Sequence, residues 1–310
     1  MGFHFVSIFA LLCLGVVGSC HASMPAELYW KSVFPNTPMP KSLQELLRPE
    51  NKSNFVEVKD GLDYANLYSF YCWHGSRGDS NPPSNEFRNG SHLTSNASIF
   101  FFENHLHQGR LMNLPGFTKT KNQATFLSHA VADSMPFSSN KFSDILKFFS
   151  MEPKSVGAKV MKLTIENCER ATIDGEYKNC ATSLESLVDL TVLRLGKKIK
   201  VMSNEVEKET ETGEFTIGKG VKNMGGTEIV CHKMTYPYAV FLCHSFDKTC
   251  VYRVPLVGSD GTKVKAVAVC HKDTSAWNPR HLAFQVLKVK PGSVPVCHFI
   301  VKGTIVWIRN

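Results

Sequence analysis

The stretch MTYPYAVFLCHSFDK, residues 234–248, decides how this chain is read, because its apolar run ends in an adjacent cysteine and histidine, Cys243-His244. The same doublet stands at Cys231-His232, Cys270-His271 and Cys297-His298. Ten residues separate the first two doublets, and 25 separate each later pair of neighbours. A chain of 310 residues with 10 Cys and 12 His does not collect four such doublets by composition. An apolar residue precedes each one: Val230, Leu242, Val269 and Val296. The unit reads as a strand end used four times.

Neighbouring side chains in an extended strand point to opposite faces. A vicinal Cys and His therefore do not easily bind the same ion, which argues against a zinc-finger site with its converging ligands. The pattern favours a division of labour. Cysteines on one face can pair as disulfides, and imidazoles on the other can converge on a metal. Parity puts Val267 and Val269 on the face of His271, Val294 and Val296 on that of His298, and Val240 and Leu242 on that of His244. The imidazoles then stand in an apolar lining, which controls solvent access and tunes a bound metal. Four imidazoles, His232, His244, His271 and His298, suit Cu, Zn or Ni, and the affinity order favours Cu(II). The alternative is that ordinary hydrogen bonds satisfy the rings while the cysteines form bridges.

Outward from these doublets, the chain after Gly196 is β-rich. IKVMS, EFTIG, EIVCHKM, AVFLCHSF, CVYRVPLV, KVKAVAVCH, HLAFQVLKV and GTIVWIR all carry β-branched or aromatic runs. Asp260-Gly261 marks a tight hairpin. Before Gly196 the period is helical. Phe142, Ile145, Leu146 and Phe149 share one face of a segment that Ser138 or Ser139 could cap. Val156, Val160 and Leu163 share another, and Leu184, Leu187, Val188, Val192 and Leu195 a third, with Gly196 as its stop. The fold class expected is α+β: helices in the first half of a domain at 99–310, an antiparallel β-sheet in its second half, stapled by disulfides.

Residues 1–22 hold no Asp, Glu, Lys or Arg, and Phe5 to Gly18 is an apolar run too short for a comfortable membrane span. Cys20 and Ala22 give the small-x-small pattern of a signal cleavage site. A secreted chain with no membrane anchor after cleavage is expected. Three N-x-[ST] sequons agree, at Asn51, Asn89 and Asn96. Residues 23–98, rich in Pro, Asn and Ser, read as an extension and linker. Within it, Arg77-Gly78-Asp79 reads as a turn in a polar loop. Removing Cys13 and Cys20 leaves Cys72, Cys168, Cys180, Cys231, Cys243, Cys250, Cys270 and Cys297, an even set that suits disulfides in an oxidising compartment. The formal charge of +8 is scattered, and no nucleic-acid-binding signature is present. It points to acidic polysaccharide as a partner.

These doublets and spacings resemble the signature of the plant BURP-domain family. FFFENHLHQG, residues 100–109, resembles that domain's aromatic opening, and ENCERATIDGEYKNCATSLESLVDL its Cys-containing middle. KAVAVCHKDTSAWNP and GSVPVCHFI resemble its later motifs, so the likeness covers residues 100–310. ELYWKSVFPNTPMP resembles the short leader of members related to the unknown seed proteins. The resemblance implies secretion to the cell wall (apoplast) or vacuole. Some members are copper-dependent peptide cyclases, joining a Tyr oxygen or a Trp nitrogen to an unactivated carbon of a peptide. Others are non-catalytic seed, stress or wall proteins, including a polygalacturonase subunit. The family assigns copper to His232, His244, His271 and His298, and places Cys168 and Cys180 in positions expected to bridge, closing a short loop for about 3 kcal/mol. The four doublet cysteines are expected to form two more bridges. Cys72 and Cys250 depart from the family pattern and either pair with each other or remain free thiols.

A self-modifying cyclase needs a peptide substrate in cis. The best candidate is NLYSFYCWHG, residues 66–75, with Tyr68, Tyr71 and Trp73. The competing reading is an aromatic cluster that docks the extension on the domain. Glu103, His105 and His107 offer a weaker hydrolase-like cluster, in which a strand would put both rings on one face.

Overall fold

The computed structural model describes residues 24–47, 100–114, 117 and 124–310. The expected α+β class is observed, with most of the helical residues in the first half and every strand pairing antiparallel. Instead of one sheet, however, there are two. The first contains β1 (Leu111–Asn113), β5 (Glu214–Ile217), β9 (Thr249–Gly258), β10 (Lys263–His271) and β11 (Val296–Phe299) in that order, with β4 (Glu205–Val206) paired to β10 and β6 (Lys222–Gly225) to β9. The second runs β2 (Glu176–Ala181), β8 (Val240–Phe246), β7 (Glu228–Met234), β12 (Ile305–Arg309), β3 (Ile199–Met202).

The period of two within these strands sorts side chains between layers. Met202, Val230, Val306 and Ile308 of the second sheet meet Val251, Val267 and Val269 of the first in one buried cluster between the sheets. The alternate residues face outward. Ile229, Cys231, Phe241, Cys243, Ile305 and Trp307 pack against helices, while Val254, Leu256, Ala268, Cys270 and Cys297 pack with Phe101, Met112 and Phe215. Register across the β9–β10 hairpin is held by the Asp260-Gly261 turn, where Gly261 takes φ 82°, as the dipeptide predicts.

Two predicted helices form where their apolar faces place them. The helix at Val156–Glu169 is capped by the Ser155 hydroxyl, which accepts from Ala158 N at 3.1 Å. The helix at Leu184–Leu195 begins with a reciprocal capping box between Ser183 and Ser186 and stops at Gly196, φ 78°. The helix at Phe142–Phe148 also forms, but no serine side chain caps it: the Ser138 hydroxyl donates to Glu169 instead. One apolar run read as a strand is not one. HLAFQVLKV holds a short helix, Leu282–Leu287, which buries Ala283 and Phe284. The run opening at residue 100 leaves only a bridge from Phe101 to Cys297 before a 3₁₀ turn at Glu103–His105.

Residues 24–47 belong to the core. The helix at Ala26–Val33 lays Trp30 and Phe34 beside Trp307, with ring centroids 5.6 and 6.1 Å away, and Leu43 and Leu46 complete the cluster on the Leu184–Leu195 helix. The Trp30 indole N–H donates to Thr37 O at 2.8 Å. Trp30→Ala is expected to cost about 3–5 kcal/mol in urea unfolding. Leu28→Ala on the same helix, at a side chain 52% exposed, should stay within about 0.5 kcal/mol.

Candidate functional site

The four Cys-His doublets fall on β7, β8, β10 and β11, and pair within two adjacent-strand couples. Cys231 lies directly opposite Cys243, and Cys270 opposite Cys297, with Cα atoms 3.9 and 4.0 Å apart; both couples are disulfides. Opposed residues in an antiparallel pair share a face, so each bridge staples two strands on the outer side of its sheet. The histidine that follows each cysteine must point the other way. All four imidazoles accordingly reach the layer between the sheets, where each is at least 93% buried.

Register then decides which rings meet. His232 is opposite Leu242 and His244 opposite Val230, so the two rings are diagonal neighbours on one face. Their centroids are 5.1 Å apart and their Nε2 atoms 3.0 Å apart. In the facing sheet, His271 is opposite Val296 and His298 opposite Val269; these rings stack with centroids 5.6 Å apart. The Phe246 ring stands between the couples, 5.3 Å from both His244 and His271 and edge-on to each. Trp277 covers His271 at 5.0 Å, and Phe100 approaches His298 at 6.3 Å.

Burial keeps these rings neutral. It is the first cause lowering all four pKa values, to about 3 for His244 and about 4 for His298, and well below the ordinary value for His232 and His271. Mutual repulsion adds to it for His232, His244 and His271, and crosses between the sheets: a charge on His298 disfavours one on His232 or His244. Neutral imidazole is the metal-binding form. Several Nδ1 atoms are tied back. His298 Nδ1 donates to Phe299 O at 3.2 Å, which leaves the lone pair on Nε2. Thr304 and Thr249 hydroxyls lie 3.4 and 3.3 Å from Nδ1 of His232 and His271. Among the described residues, His244 Nδ1 is buried without a hydrogen-bond partner.

The donor set fits a divalent ion of the copper or zinc class at the His232–His244 couple. Two nitrogens each about 2.0–2.1 Å from one ion lie about 3 Å apart when the angle at the ion is near 90°. The same separation serves a single hydrogen bond between two neutral rings. Among the described residues, no group of three or more His, Cys, Asp or Glu side chains is gathered to hold a metal. The rings form two couples across an apolar layer.

The BURP domain profile matches residues 99–309. The chain belongs to the BURP domain family. It is 49% identical to the BURP domain protein RD22 of Arabidopsis thaliana over 222 residues, 70% of this chain and 57% of that protein. It is 40% identical to BURP domain-containing protein 5 of Oryza sativa subsp. japonica over 94% of this chain and 90% of that one. The embryonic abundant protein VF30.1 of Vicia faba is 32% identical over 100% of this chain and 97% of its own length.

Elsewhere in this BURP domain, Cys168 and Cys180 form the expected third bridge, Cα atoms 5.7 Å apart, tying the helix at Val156–Glu169 to β2. Cys250, expected either to pair with Cys72 or to remain a free thiol, forms no disulfide among the described residues. Its cross-strand neighbour Cys270 already bonds Cys297 on the far side. Cys72, the sequons at Asn51, Asn89 and Asn96, and the candidate substrate residues Tyr68, Tyr71 and Trp73 lie outside the described residues. The hydrolase-like cluster does not assemble on a strand. Glu103 and His105 sit in the 3₁₀ turn, and the Glu103 carboxylate is taken by Tyr252 and Lys272.

The sequence reading missed His281, which is fully buried 4.7 Å from the Trp277 ring. Its Nδ1 accepts from Ala283 N at 3.0 Å and caps the Leu282–Leu287 helix. Histidine is not a usual N-cap residue, so the segment passed as a strand. The one signal was the adjacent buried pair Ala283 and Phe284 at the helix start.

The depressed pKa values set a pH dependence. Unfolded histidines take up protons below about pH 6.5, while the folded rings resist until about 4 for His298 and about 3 for His244. Stability of the metal-free protein should therefore be full above pH 6.5 and lost on acidification, by on the order of 1 kcal/mol per pH unit per ring. Urea midpoints of chelator-treated protein between pH 7.5 and 4.5 check this; His244→Asn, which cannot titrate there, should flatten the slope.

Proposed function

We propose that this BURP-domain protein is a secreted, copper-dependent peptide cyclase that forms Tyr or Trp side-chain cross-links in a peptide substrate, in cis or in trans. The 3.0 Å approach of His232 and His244 Nε2 carries the reading, because it presents two neutral imidazole nitrogens at the spacing of neighbouring ligands on one ion. His271 and His298 are the second couple of donors.

Copper held there supplies one-electron oxidation, with dioxygen as terminal acceptor of the two hydrogens lost per cross-link. The chain's own residues do the rest. Phe299 O, Thr304 and Thr249 hold three of the rings through Nδ1 and so aim Nε2 inward. Val230, Val269, Val306 and Ile308 exclude water from the layer, which suppresses hydrolysis and proton leakage. Trp277, Phe246 and Phe100 form an aromatic wall beside His271 and His298. Three disulfides agree with an oxidising compartment, hence with secretion to the apoplast, cell wall or vacuole.

A second reading is a non-catalytic seed, stress or wall protein that binds acidic polysaccharide or a wall enzyme. The formal charge of +8 favours it, and such binding would weaken steeply with salt in a polygalacturonate pull-down.

Metal analysis separates the two. Wild-type protein dialysed against Cu(II) should retain copper, and His244→Ala and His298→Ala, confirmed folded by circular dichroism, should bind it at least about tenfold more weakly. Equal retention by all three ends the copper reading. After copper and air, tryptic peptides from residues 24–98 should lose two daltons per cross-link if the substrate is in cis. The loss is expected at Tyr68, Tyr71 or Trp73.

A further inference from the structure

Three cysteines of the first sheet stand in one row. Cys250 on β9 is the register partner of Cys270 on β10, and Cys270 is the register partner of Cys297 on β11. Directly opposed residues share a face, so all three sulfurs lie on the outer side of the sheet, away from the imidazoles. Cys270 and Cys297 are bonded and fully buried, whereas Cys250 is free and partly exposed.

The backbone fixes the spacing of the row. Cys297 exchanges both of its hydrogen bonds with Phe101, at 2.9 Å each. The Cys270–Cys297 couple is therefore of the type without mutual backbone hydrogen bonds, as its 4.0 Å Cα separation also indicates. The N–H and C=O of Cys270 then point the other way, towards β9. That makes Cys250–Cys270 a hydrogen-bonded couple, with Cα atoms about 5.5 Å apart, a Cα spacing common in disulfides, although the Cβ atoms must close by about 1 Å for the bond to form.

We propose that Cys250, Cys270 and Cys297 form a thiol–disulfide exchange site. The Cys250 thiolate attacks Sγ of Cys270; the Cys250–Cys270 bond forms and the Cys270–Cys297 bond breaks. The electron pair leaves on Sγ of Cys297, which takes up the proton that Cys250 gave up. One thiol and one disulfide remain, so no oxidant or reductant is consumed. Strand order places attacking, central and leaving sulfurs in sequence across the sheet, as displacement at sulfur requires. The exchange moves the staple from the edge strand β11 to the interior strand β9. It thereby unties the short strand that carries His298, and the partly exposed Cys250 is the route by which solution redox chemistry reaches a buried bridge. The proposal does not depend on an ion between the sheets.

The test uses the full chain, incubated at pH 8 without added thiol or oxidant, quenched with acid and alkylated, then digested at low pH without reduction. Mass spectrometry should find two linked species: Cys270–Cys297 with alkylated Cys250, and Cys250–Cys270 with alkylated Cys297 in at least about one molecule in a hundred. Cys250→Ser should give the Cys270–Cys297 bridge alone. Cys297→Ser, oxidised beforehand with glutathione disulfide as the two-electron acceptor, should hold the Cys250–Cys270 bridge. Wild-type protein with only Cys270–Cys297 and a fully alkylated Cys250 overturns the proposal, as does a Cys250–Cys72 bridge.

Discussion

The alternation of side chains along a paired strand is the constraint on which the rest of the structure depends. Four times a cysteine is followed at once by a histidine, and four times the strand sends the sulfur outward and the ring inward. Because the cysteines are in direct register, the bridges lock that register, and a slip of one residue would turn every ring to the outer side of its sheet. The Cys231–Cys243 bridge fixes His232 diagonal to His244, and the Cys270–Cys297 bridge fixes His271 diagonal to His298. Bridge and imidazole couple are two consequences of one pairing.

Energetically the two faces play different parts. The outer face of the second sheet buries Cys231 and Cys243 under Leu184, Leu187 and Val188, and under Trp30 and Phe34 from far upstream. This layer supplies much of the apolar burial and keeps the staples out of solvent. The inner face accepts four polar rings among Val230, Val267, Val269 and Val306. Burying them is costly, since the rings must stay neutral and each polar nitrogen needs a partner. The unpartnered Nδ1 of His244 is where that cost is visible.

The first sheet carries an additional sulfur on the outer row. Cys250 shares its strand with Tyr252, whose hydroxyl meets Glu103, itself bonded to Lys272 immediately after the third doublet. The aromatic opening, the free thiol and the third and fourth doublets thus meet along β9, β10 and β11 of one sheet. Phe101 contributes through its bridge to Cys297, and Phe100 reaches His298 on the opposite face.

The sequence by itself determined what depends on period and local chemistry. Odd and even positions separated sulfur from imidazole, Asp260-Gly261 marked its hairpin, and Gly196 marked the end of its helix, because each signal is read within a few residues. The Cys168–Cys180 bridge followed from the family likeness. Only the tertiary structure decided that the strands divide into two facing sheets and that His232 pairs with His244 and His271 with His298. It also decided that Phe246 and Trp277 separate and cover those couples, that His281 caps a helix, and that residues 24–47 return to the core. Those facts are contacts between segments far apart in the chain. A strand pattern states which face a side chain takes, but it carries no information about what another strand or helix will bring to that face.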